Sequence, residues 1–84
     1  MSAISSHLAK VRQLFPESGE AVSELALRSE AFRSLCEDYG LAMEALRQLE
    51  LRNRPEDVEK MHEYRRLLHE LEGELRTAFD TRKH

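Results

Sequence analysis

The chain of 84 residues has one cysteine, no tryptophan and five aromatic side chains in all. A lone cysteine excludes an internal disulfide, and no Cys/His cluster has the spacing of a structural zinc site. So few aromatics leave little for base stacking. Clustered basic charge is also lacking. Residues 1–54 carry seven basic and eight acidic side chains, and residues 55–84 carry six and eight. An even, slightly acidic distribution argues against a nucleic-acid surface and against a polybasic membrane patch. No run approaches the roughly 20 apolar residues that span a bilayer. The first ten residues lack a basic head followed by an apolar segment, so a cytoplasmic location is expected. Glycine-rich phosphate loops, nucleophile elbows and nucleotide fingerprints are absent, and so is strand-like alternation of useful length. An enzyme is not expected, and neither is a metal or cofactor.

What the chain does have is apolar residues at helical spacing. Val22, Leu25, Phe32, Cys36, Tyr39, Met43 and Leu46 alternate in steps of three and four, with only Ser29 and Glu50 polar on the track. At 3.6 residues per turn they share one face, which must be buried against another helix. Leu35, Ala42 and Leu49 widen that face. Met61, Tyr64, Leu68, Leu71, Leu75 and Ala78 make a second stripe after residue 55, broadened by Val58, Leu67 and Phe79.

Breaks in the pattern set the expected elements. A short helix over about 6–15 is capped by Ser5 or Ser6 and stopped at Pro16. A long helix over about 18–52 follows, with Glu17 and Glu20 near its positive end. Asn53 and Arg54 form a turn, and Pro55 opens a helix over about 55–80 with Glu56, Asp57 and Glu59 in its first turn. The tail from Asp80 to His84 is polar. Glu24 with Arg28, Glu56 with Lys60, and Glu72 with Arg76 stand four apart, as helix-surface ion pairs do.

Several residues invite a functional reading and have a plainer one. His62 and His69 are seven apart, too far along a helix for one ion, and read as solvated. Cys36 reads as a small buried hydrophobe, since Glu37 and Asp38 disfavour a thiolate. Glu70, Glu72 and Glu74 point in different directions and form a solvated face. Arg65 and Glu72 border the last helix's stripe, where polar residues set register through interhelical pairs. Tyr39 and Tyr64 read as core tyrosines that meet across the two long helices, with Tyr39 near Leu68. Gly40 and Gly73 each weaken a helix by about 1 kcal/mol relative to Ala. Close approach of another helix, a bend or plain tolerance would account for them, with Gly40 the better candidate for close approach.

The order of residues also resembles the small bacterial YdcH-like family of uncharacterised proteins. The resemblance is carried by Ser6, His7 and Leu8, then Phe15, Pro16 and Glu17, and by Glu30, Ala31, Phe32, Leu35 and Tyr39. Leu46, Glu50, the pair Arg65–Arg66, and Leu71, Glu74 and Leu75 continue it. The chain departs from the family at Leu68 and His69, and at Glu72 and Gly73. The family implies a small helical hairpin and brings no established activity, so no functional residue carries over.

The expected fold is all-α: an antiparallel helical hairpin with a short N-terminal helix, forming one domain over residues 1–84. Wide stripes on so small a chain lead us to expect a homodimer packed as a four-helix bundle. The expected role is non-catalytic protein–protein interaction, as an adaptor or regulatory module with a protein partner. Phe32, Leu35, Tyr39, Leu68, Leu71 and Leu75 are the expected anchors. A nucleic-acid-binding bundle, resting on Arg47, Arg52, Arg54, Arg65 and Arg66, and a secretion-chaperone-like protein are the alternatives.

Overall fold

The computed structural model describes residues 3–82, with side chains from His7 onward. The chain is all-α. It forms α1 (Ala3–Arg12), α2 (Gly19–Arg28), α3 (Glu30–Arg52), a 3₁₀ turn (Pro55–Asp57) and α4 (Val58–Thr81), with no strand among the described residues. Ser5 and Ser6 lie inside α1, so they do not cap it, and their side chains are not described. Lys83 and His84 of the expected polar tail lie outside the described residues.

The helix expected over 18–52 is two helices. Ser29 has extended backbone (φ −117°, ψ 112°) and ends one while starting the other. Its N–H donates to Leu25 O at 2.8 Å, closing α2. Its hydroxyl accepts from Phe32 N–H at 3.1 Å, capping α3. A hydroxyl at this position satisfies an amide that has no partner within its own helix. Arg33 reinforces the corner by donating from Nη1 to Ala26 O at 2.9 Å. Periodicity passed through this corner unbroken because Ser29 keeps the heptad phase. A polar residue on an apolar track, followed by an acid at Glu30, was the available signal.

The turn after α3 follows its local chemistry. Asn53 takes the left-handed conformation (φ 50°, ψ 50°) that asparagine tolerates, and its N–H reaches Leu49 O at 3.1 Å. Arg54 is extended ahead of Pro55, as the residue before proline prefers. Asp57 ties the turn back to α3 through Arg52, at 3.4 Å. α4 then packs against α3. Glu50 meets Arg65 at 3.2 Å near the turn, and Tyr39 lies in the field of Glu72 and Arg76 farther along. Tyr39 thus sits about one turn beyond the Leu68 level that the turn count gave.

All four helices contribute to one core. Val11, Val22, Phe32, Cys36 and Leu75 are fully enclosed there. α1 lies along α3, with His7 over Gly40 and Lys10 paired to Glu44 at 3.8 Å. The segment after α1 crosses to the far end of α4. There Phe15 and Phe79 pack with centroids 4.6 Å apart, and Arg82 covers the Phe79 ring at 3.7 Å.

Candidate interaction face

Five of the six expected anchors lie inside this chain's own core. Phe32, Tyr39, Leu68, Leu71 and Leu75 are buried, and only Leu35 is partly open. The reason is geometric. α1 and α2 bring Val11, Val22, Leu25 and Ala26 onto the stripe of α3, so the chain supplies much of its own cover. Those leucines and aromatics hold the fold, and the apolar surface left to solvent is elsewhere.

Part of that surface lies where α3 and α4 run side by side, while Leu27 on α2 and Leu51 near the end of α3 are exposed apart from it. Leu41 is 60% exposed and Leu67 is 40% exposed. With Ala42, Ala45, Tyr64 and Leu71 they line a shallow groove whose rim includes Asp38. Toward the turn the groove continues past Ala45, Leu49 and Tyr64 to Arg52 and Lys60. A second hollow, along the far part of α4, is lined by Leu35, Gly73, Ala78, Glu70 and Glu74. Helical spacing explains the line-up. Asp38, Ala45 and Arg52 stand seven apart on α3, as do Lys60, Leu67 and Glu74 on α4, and a seven-residue step returns to nearly the same face. Both helices carry the cation near the turn and the anion at the far end. Leu41 and Leu67 stand beside the two main stripes, so their exposure followed from the packing of α3 and α4 and from no single helix pattern.

The other residues singled out by sequence do not converge on this face. Cys36 is 0% exposed, and burial, with Glu37 second, pushes its thiol up from 9.0 to about 11. It is neither nucleophilic nor accessible. Burial also raises the Tyr39 hydroxyl, with Glu72 adding to the rise and Arg76 opposing it. His62 and His69 are exposed. Arg65 makes its interhelical pair with Glu50, while Glu72 pairs along its own helix with Arg76 at 3.9 Å. Among the described residues no His, Cys, Asp or Glu cluster is placed to hold a metal ion. No described helix is long and apolar enough to cross a membrane.

No protein-family model matches this chain, and no curated protein or solved structure matches it.

Proposed function

We propose that this chain is a non-catalytic interaction module: α3 and α4 act as an antiparallel hairpin that self-associates into a four-helix bundle. The observation that carries this is that the exposed leucines Leu41 and Leu67 line one groove with Ala45 and Tyr64. Leucines exposed together on one face of a small domain are stabilised by a partner's apolar surface. The groove is open and shallow, which suits a helix surface better than a small substrate held away from water. The YdcH-like resemblance agrees with such a module, and a cytoplasmic, adaptor or regulatory role is part of the same proposal. Nucleic-acid binding is the weaker reading, because Arg52 and Arg65 are already paired with Asp57 and Glu50.

Sedimentation of the wild type should give twice the mass of the chain. Leu67→Asp should sediment as a monomer while its helical circular dichroism persists. A wild-type monomer at every concentration up to roughly 100 μM would remove self-association, since interactions weaker than that have little standing in a cell.

A further inference from the structure

We propose that the groove is filled by a second copy of this chain in one register. The two-fold axis runs across both helices, through Ala45 of α3 and Leu67 of α4. This rests on the self-association reading above and goes beyond it by assigning the face and the orientation.

The charge pattern selects the orientation. Along each helix the sequence reads cation, apolar residue, anion at seven-residue steps from the turn: Arg52, Ala45 and Asp38 line the groove on α3, and on α4 Lys60 and Leu67 line it while Glu74 lines the second hollow. A two-fold axis lying along the helices would place turn against turn, setting Arg52 beside the partner's Lys60. An axis lying across them reverses the second copy. Asp38 then faces the partner's Arg52, and Lys60 faces the partner's Glu74, each contact occurring twice as a closed two-fold interface requires. Ala45 and Leu67 are the midpoints of the two lines, and both border the same groove. The remaining residues agree with that register. Leu41 falls opposite the partner's Leu49. Glu63 falls opposite Leu71, and Glu70 opposite Tyr64, so no like charges oppose each other along either line. Like-charge juxtaposition in the other orientation is the kind of penalty that rejects wrong arrangements.

Single cysteines test the axis. Ala45→Cys and Leu67→Cys should each give a covalent dimer under mild oxidation, because a residue on a two-fold axis meets its own copy. Leu51→Cys, 69% exposed and outside the groove, should not, and neither should the unaltered chain with its enclosed Cys36. Charge exchange tests the register. Lys60→Glu and Glu74→Lys should each weaken the dimer about tenfold, since each reverses a contact made twice. Combining them should restore most of the affinity. Lys60 and Glu74 are used because Arg52 also leans on Asp57. A dimer that crosslinks only through the mixed Ala45→Cys and Leu67→Cys pair would overturn the register, as would one with no rescue by the double exchange. Equal crosslinking of Leu51→Cys would overturn the face. In those cases self-association stands, whereas a monomer throughout removes both.

Discussion

The imidazole of His7 rests on the bare backbone of Gly40. A Cβ at residue 40 would stand 2.5 Å from His7 Cγ and 2.8 Å from His7 Cβ, closer than side-chain carbons approach. Gly40 therefore sets how closely α1 can lie on α3. The Nδ1 atom of His7 is buried there without a hydrogen-bond partner. The glycine that weakens α3 locally is the one that lets α1 lie on α3, with Val11 of α1 and Cys36 of α3 enclosed in the same core.

Gly40→Ala should destabilise the fold by about 1–3 kcal/mol, because overpacking outweighs the gain in helix propensity. Pairing it with His7→Ala should recover part of the loss. Gly73 is the internal control. A Cβ there meets nothing within 4 Å, so Gly73→Ala should stabilise by about 0.5–1 kcal/mol. Urea denaturation of the four proteins reads both signs, and a stabilised Gly40→Ala would show that α1 does not depend on this contact.

Ser29→Ala should cost about 1 kcal/mol, the usual loss on removing a side-chain cap. Ser29→Asp should retain most of the stability, since its carboxylate can accept from Phe32 N–H. If alanine proves harmless, α2 and α3 fuse into one helix in solution and the corner has no energetic anchor. Amide exchange at Phe32 distinguishes a lost cap from a lost corner.

Cys36 should resist thiol reagents in the folded protein and react on unfolding. Its folded pKa lies above its ordinary one, so between about pH 9 and 11 the native state holds a proton that the unfolded chain has lost. Stability is therefore fully present below pH 9.0 and falls as pH rises toward 11. The raised Tyr39 hydroxyl acts in the same direction above its ordinary value of 10.0. The urea midpoint should drop across this window, and Cys36→Ala should flatten the drop while lowering the starting value. A midpoint that rises with pH there would contradict the burial of both groups.

Leu75→Ala removes a fully buried side chain of the core, so it should cost about 2–5 kcal/mol. Leu67→Ala, at a partly open position, should cost under about 1 kcal/mol in the monomer and act instead on association. Denaturation separates the two from sedimentation. If Leu75→Ala leaves the fold intact but weakens self-association, the apolar stripe and not the groove is the contact surface.

Much of the helix pattern was legible in the residues. Pro55 after Asn53 and Arg54 located the turn, since proline and left-handed asparagine act through their own dihedrals. Steps of three and four located α4, and Gly40 beside an apolar face pointed to a close approach. Ser29 hid its corner, because a capping hydroxyl and a tolerated polar heptad position look alike until the backbone turns. The six expected anchors all belong to the apolar faces of the long helices. A stripe says that a face is buried, not what buries it.

The sequence by itself determined that the chain is helical and that a turn at Asn53 and Arg54 precedes the last helix, because prolines, left-handed asparagine and periodicity act within a few residues. Only the tertiary structure decided which apolar residues remain outside. α1 and α2 claimed the stripe that seemed free for a partner, and Leu41 and Leu67 were left in the open groove. Burial is shared among segments far apart in the chain, so one helix's pattern cannot assign it.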